Sequence, residues 1–234
     1  IEFLLQARTL YTTGDAFKAQ DPKDMEKAFQ GFCKAGLYGF FDSITDRPYV
    51  IDKSRAWVGN FRFANFIEPN PKVIVMVRDL RSIFASMEKN YRKNPHKDPL
   101  IVNGAQLQNM TADSRLKHFS VSPPIGPSLE WLYDAIQQGY DEHFLFIRFE
   151  DFTKSPETEI KRIYNYLDIP YFKHDFENIE QLTHENDVIH GIFGDHEIHP
   201  VIKPLIEDYT SILGFQNCDK INQNYQWFFN KFNY

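Results

Sequence analysis

The stretch from Val73 to Met87, VIVMVRDLRSIFASM, changes its hydrophobic period in the middle, and Arg78 and Asp79 stand at the change. The five apolar residues before Arg78 suit a strand buried on both faces of a parallel sheet. Beyond it, Leu80, Ile83, Phe84 and Met87 fall at i, i+3, i+4 and i+7, which is a helical stripe, and Asp79 is the natural N-cap. A buried strand that runs directly into an amphipathic helix restricts the chain to α/β architectures. PYVID (48–52) and HFLFIR (143–148) read as further strands of the same kind. Helices fill the intervals. Asp21-Pro22 gives a cap and a first-turn proline ahead of KDMEKAFQGFCKAG, and Ser155-Pro156 opens PETEIKRIYNYLDI in the same way. CDKINQNYQWFFNKF, near the end, predicts one helix anchored by Trp227, Phe228 and Phe232. The βαβα order predicts a single α/β domain over residues 1–234, with a central parallel sheet between helical layers. Residues 92–127, rich in Pro, Asn, Lys and Gly and without lasting periodicity, are too long for an ordinary connection and read as a lid or a wall for an acceptor.

Composition narrows the function. A hydrophobic share of 42% and an aromatic share of 16% supply one large core. The formal charge of −6 and a pI near 5.8 argue against a nucleic-acid partner held by bulk electrostatics. Two cysteines, Cys33 and Cys218, cannot make a disulfide framework, and no apolar run approaches the roughly 18 residues that span a bilayer. The reading is a cytoplasmic protein without a membrane span. Among the eight histidines, His190, His196 and His199 cluster, but without a cysteine partner or an HExxH frame, and no metal is expected. The chain opens with IEFLLQARTL, which has neither an initiator Met nor a signal-peptide pattern and reads as the interior of a helix, so an upstream piece is expected.

A strand that ends in arginine and turns at once into a helix places a forked cation at the carboxyl edge of the sheet, where open α/β folds bind ligands. Arginine grips phosphate through paired hydrogen bonds. The helical spacing puts Ser82, Ser86 and Lys89 on one flank, where a serine hydroxyl adds a neutral donor to the same anion. The alternative is structural: Arg78 pairs with Asp79 or another carboxylate, and Ser86 is a small spacer.

The Arg78-to-Ser86 spacing resembles the 3′-phosphate-binding strand and helix of sulfotransferases that use 3′-phosphoadenosine 5′-phosphosulfate (PAPS), in wording closest to the tyrosylprotein and related Golgi or bacterial enzymes. Three further segments agree in order. IDKSRAW (51–57) resembles the short lysine motif. FIRFEDFTKSPETEIKRIYNYLDIP (146–170) resembles the strand, acidic turn and helix that follow, and PVIKP (200–204) resembles a late lysine segment closing over the nucleotide. The resemblance implies a three-layer αβα fold of the P-loop nucleoside triphosphate hydrolase-like type, PAPS as sulfuryl donor and PAP as product, without a metal. Arg78 and Ser86 would then hold the 3′-phosphate. Phe149 would lie near the adenine, Lys203 would reach the nucleotide phosphates, and His196 would fold over the cofactor. Lys53 would stabilise the transferring charge, and Glu2, in the place of the family's catalytic glutamate, would be the base. The acceptor would be a small molecule, a carbohydrate or a peptide. A basic residue expected one turn beyond the serine is replaced by Asn90, for which Lys89 or Arg92 would substitute. The family's phosphate loop of the Pro-Lys/Arg-Ser-Gly-Thr/Ser-Thr type has no match here, and its strand, loop and helix are expected upstream of this chain. Two rival readings are a non-catalytic relative that kept the fold and lost the donor site, and a P-loop kinase, whose GxxxxGK[ST] signature is missing.

Overall fold

The computed structural model describes residues 2–93, 110–180, 182 and 199–234. Its contacts divide the chain into two compact units, Ile1–Val73 with Glu130–His143 and Ile74–Leu129 with Phe144–Tyr234.

The first unit is helical through α1 (Glu2–Thr13), α2 (Asp15–Lys18), α3 (Pro22–Ile44), α4 (Ala56–Gly59) and α5 (Phe61–Ile67). α3 starts where the sequence places it. The Asp21 carboxylate accepts hydrogen bonds from the amides of Lys23 (2.8 Å) and Asp24 (3.4 Å), and Pro22 occupies the first turn, where its missing N–H costs nothing. Phe29 and Cys33 of α3 pack on Phe63 and Ile67 of α5, with Leu4, Leu5 and Tyr11 of α1 closing over them. The Arg8 guanidinium lies over the rings of Phe63 and Phe66.

PYVID does not form the expected strand. Residues 45–55 contain neither helix nor strand, and Ile51 is 79% exposed. Polar neighbours set the local course instead. Asp52 accepts the Trp57 indole N–H at 2.6 Å, and Ser54 Oγ accepts the Ala56 amide at 3.2 Å, so the segment turns into α4.

The second unit takes β1 (Val73–Val77) from Ile74 on, α6 (Leu80–Lys93) and α7 (Ala112–Val121); α8 (Ile125–Gln137) starts in it and passes into the first unit at Glu130. After β2 (Phe144–Arg148) come α9 (Phe149–Lys154), α10 (Pro156–Leu167), α11 (Tyr209–Leu213), α12 (Phe215–Asn224) and α13 (Gln226–Phe232). Among the described residues the sheet consists of β1 paired in parallel with β2. Both strands lie where the apolar runs put them, but β1 is buried on one face only: Val75 and Val77 point inward while Met76 is 51% exposed.

Where the 92–127 segment is described it holds α7, which Thr111 Oγ1 caps by accepting the Ser114 amide at 3.2 Å, and residues 94–109 lie outside the described set. Two other expectations need correction. The single helix predicted near the end breaks at Tyr225 into α12 and α13, just after the Asn222-Gln223-Asn224 run, whose two asparagines have poor helix propensity. Ser155 precedes α10, with Pro156 in its first turn, yet it makes no side-chain cap; its backbone carbonyl accepts the Thr158 and Glu159 amides instead.

A buried ion cluster fixes α6. Glu88 is 0% exposed and receives Arg115 through Nε (2.8 Å) and Nη2 (2.6 Å), together with Arg92 Nε at 2.8 Å. Arg115 also donates to the Met110 carbonyl at 2.6 Å, and Arg92 to the Ile212 carbonyl at 2.9 Å, so one carboxylate ties α6 to α7 and to α11. Burial pushes the Glu88 carboxyl up, but the hydrogen bonds from Arg115 and Arg92 outweigh it and hold the group below the usual carboxylate range.

Candidate functional site

β1 ends at Val77, and α6 begins at Leu80 because Asp79 caps it: the carboxylate accepts the Arg81 amide at 2.9 Å. The same carboxylate is gripped by the Arg81 guanidinium through Nε at 2.9 Å and Nη2 at 2.7 Å. Arg81 lies over the rings of Tyr209 (4.7 Å) and Phe229 (5.0 Å). The Asp79 amide donates to Glu150 Oε1 at 3.1 Å, and the other oxygen of Glu150 accepts the Tyr234 hydroxyl at 2.6 Å. Burial and then the bond to Glu150 push the Tyr234 phenol far above its usual range, which keeps it a donor. Glu150 belongs to the acidic turn that follows β2, so it ties the β1–α6 turn to the end of the neighbouring strand.

With Asp79 engaged by Arg81, Arg78 finds its partner elsewhere. Its guanidinium lies 4.8 Å from the centre of the Phe149 ring and donates through Nη2 to Glu207 Oε2 at 3.3 Å. Lys89, one helical turn beyond Ser86, reaches the other oxygen of Glu207. The Glu207 side chain is 7% exposed, and that of Arg78 is 22% exposed. Two cations from the strand tip and the following helix therefore converge on one planar anion. Carboxylate and phosphate oxygens offer arginine the same paired-acceptor geometry, so the cluster suits a phosphate group as well as it suits Glu207.

Glu207 is delivered by a short, doubly fixed segment. The Ile179 amide donates to the Pro200 carbonyl at 2.8 Å and the Ile202 amide to the Phe176 carbonyl at 2.9 Å, while Asp208 caps α11 by accepting the Ser211 amide at 3.1 Å.

Of the residues singled out from the sequence, Arg78 and Phe149 meet directly. Ser86 is exposed on α6 one turn before Lys89, and Ser82, on the same flank one turn earlier, is buried. Lys203 is exposed on the segment that leads to Glu207. Lys53, exposed after PYVID, and Glu2, in the first turn of α1, belong to the first unit. His196 lies outside the described residues. Of Lys89 and Arg92, Arg92 bonds to Glu88 and the Ile212 carbonyl, and Lys89 bonds to the carboxylate that Arg78 also holds. Glu207 was missed. Its only signal is an acidic residue directly after the apolar PVIKPLI, and nothing local marks it as a partner of Arg78.

Two clefts of the same unit differ in character. One of about 320 Å³ is lined by Arg81, the carboxamides of Asn222, Gln223 and Gln226, and the rings of Phe229 and Tyr234. The other, of about 660 Å³, has Glu157, Asp175 and Glu177 beside Lys173 and His174, walls that do not suit an anion. Among the described residues no group of three His, Cys, Asp or Glu side chains could hold a metal ion, and no helix is long and apolar enough to cross a membrane.

No curated protein and no solved structure matches the chain. A family model described as the sulfotransferase domain matches residues 62–187, more than half of the 234-residue chain, including β1, the Arg78 turn, β2 and α10. The chain belongs to the sulfotransferase domain family.

Proposed function

We propose that this protein transfers a sulfuryl group from PAPS to a hydroxyl or amine of a small-molecule, carbohydrate or peptide acceptor. In this reading it acts in the cytoplasm as one three-layer αβα domain of the P-loop nucleoside triphosphate hydrolase-like type. The observation that supports it best is the convergence of Arg78 and Lys89 on a single anion at the carboxyl end of β1, in a chain of the sulfotransferase family. The donor set fits a phosphate: a stacked guanidinium, an ammonium, and an exposed hydroxyl on the same helix. The bound donor would supply an activated sulfuryl group on a phosphate leaving group. Arg78 and Ser86 would hold its 3′-phosphate. Phe149, whose ring centre lies 4.8 Å from the Arg78 guanidinium, would border the adenine, while Lys203 and His196 would reach over the nucleotide. Lys53 would face the charge that grows on the transferring oxygens, and Glu2 would take the acceptor proton.

Arg78→Ala tests the phosphate seat. Wild type is expected to bind 3′-phosphoadenosine 5′-phosphate more tightly than AMP in calorimetry, and the variant to lose most of that preference, about 1.5–3 kcal/mol for one charge-assisted contact. Equal affinity for the two nucleotides, in wild type and in every variant that frees Arg78, removes the assignment. For Lys53→Ala, a contact that matures only in the transition state predicts a fall in turnover of about 100-fold with nucleotide affinity unchanged. Normal turnover with weakened donor binding makes Lys53 a ground-state ligand instead.

One observation favours a second reading. Arg78 is already satisfied by a buried carboxylate, as a relative that kept the fold and lost the donor would arrange it. Failure of the protein to bind 3′-phosphoadenosine 5′-phosphate in any variant selects that reading.

A further inference from the structure

We propose that Glu207 is a tethered stand-in for the nucleotide 3′-phosphate, and that Lys89 is the second cation of the seat both anions use. The proposal rests on the 3′-phosphate reading of Arg78.

Glu207 is nearly buried, yet it comes from a segment remote in sequence, and its two oxygens are divided between the two cations: Oε2 to Arg78 and Oε1 to Lys89. An exposed surface pair would not produce this division, because it gains little and holds neither partner in one geometry. Other carboxylates of the turn are committed elsewhere. Asp79 serves Arg81 and the helix cap, Glu150 serves the Asp79 amide and Tyr234, and Glu88 serves Arg92 and Arg115. Glu207 is therefore the anion whose removal exposes the face of Arg78 toward Lys89 without dismantling the cap or the strand link.

The cations can withstand the exchange. The Arg78 guanidinium remains braced on Phe149, and the Lys89 side chain is already 55% exposed, so neither becomes a buried, unpaired charge when Glu207 leaves. The residues between Ile202 and Glu207 are mostly exposed, including Ile206 at 93%, so little packing opposes a local displacement of that stretch. A phosphate, with more charge than a carboxylate and further contacts through the rest of its nucleotide, can displace the tethered group. AMP, with no phosphate at that position, cannot.

The test uses the full chain, Glu207→Gln, and calorimetric titration with 3′-phosphoadenosine 5′-phosphate and with AMP. Glutamine keeps the shape and removes the competing charge. The expected result is about tenfold or more tighter binding of the 3′-phosphorylated nucleotide with AMP unchanged, from the loss of one charge-assisted competitor. Lys89→Ala in the same assay weakens the 3′-phosphorylated nucleotide alone. If wild type prefers the 3′-phosphorylated nucleotide and Glu207→Gln leaves that preference unchanged or lowers it, Glu207 is no competitor and the proposal is overturned, while the phosphate seat stands. If neither wild type nor variant distinguishes the two nucleotides, the seat itself falls and the proposal with it. A measurement on unaltered protein covers a variant that fails to fold: 3′-phosphoadenosine 5′-phosphate, and not AMP, accelerates amide hydrogen exchange over residues 205–210. Slowed or unchanged exchange there overturns the displacement.

Discussion

Replacing Glu88 with alanine is expected to destabilise the second unit by about 3–5 kcal/mol at neutral pH, the cost of breaking a buried ion pair by removing one partner. The carboxylate is fully buried, and the side chain of Arg115 is only 10% exposed. Without Glu88, the Arg115 guanidinium keeps the Met110 carbonyl and the face of Tyr91 but has no counter-charge. Arg92 is half exposed and can turn to water. The pH dependence has a definite sign. The folded-state carboxyl is held below its unfolded value, so its contribution is present above about pH 4.3, the ordinary glutamate value, and is lost as pH falls through the folded value. Urea unfolding of wild type and variant at pH 7 and again below about pH 4 should show the gap between them narrowing as pH falls past the ordinary glutamate value. A gap that stays constant, or a loss below 1 kcal/mol at pH 7, contradicts the burial-and-pairing account.

Phe84→Ala is expected to cost a similar amount, about 3–5 kcal/mol, for a different reason: truncating a buried phenyl ring leaves a cavity that its surroundings only partly fill. Phe84 is 1% exposed, on the stripe that α6 turns inward, with the Tyr225 ring 6.1 Å away at the α12–α13 break. Scanning calorimetry should show the transition of this unit shifted to lower temperature, with no acid dependence beyond that of wild type. Phe84→Leu, which restores most of the volume, should recover more than half of the loss. A Phe84→Ala loss under about 1 kcal/mol would mean that α6 is not anchored by its apolar face.

The parts legible in the sequence are those whose cause is local. β1 and β2 follow from apolar runs, α3 from an Asp-Pro start, and α6 from a stripe behind a capping aspartate. PYVID misled because a short apolar run specifies a strand only if another strand pairs with it, and nearby Asp52 and Ser54 offered the backbone a turn. The break at Tyr225 was hidden by an apolar pattern that continued through it. In the site, Arg78 and the helix flank could be named from spacing, and Phe149 only through the family resemblance. The partner of Arg78 could not: Glu207 lies 129 residues further on, and no periodicity records which distant carboxylate meets a strand-end arginine. Glu88 was concealed by the same rule that revealed α6. An acidic residue one position beyond a helical stripe reads as solvated until its arginines arrive from α7 and its own next turn.

The bonds at Pro200 and Ile202 on one side, and the Asp208 cap on the other, leave residues 203–207 as the only slack between two pins. At about 3.5 Å per residue, that stretch extends at most to roughly 20 Å, so the Glu207 carboxylate never leaves the neighbourhood of Arg78. Such a group behaves as a reagent at an effective concentration on the order of millimolar, whatever the dilution of the protein. Free anions meet it as a threshold. If Arg78 and Lys89 seat a phosphate, inorganic phosphate or sulfate would have to outcompete that local carboxylate, whereas a nucleotide also held through its base and second phosphate would pass it at far lower concentration. A carboxylate held next to the Asp208 cap would thus act as an affinity filter, admitting an anion only when it arrives as part of a larger molecule.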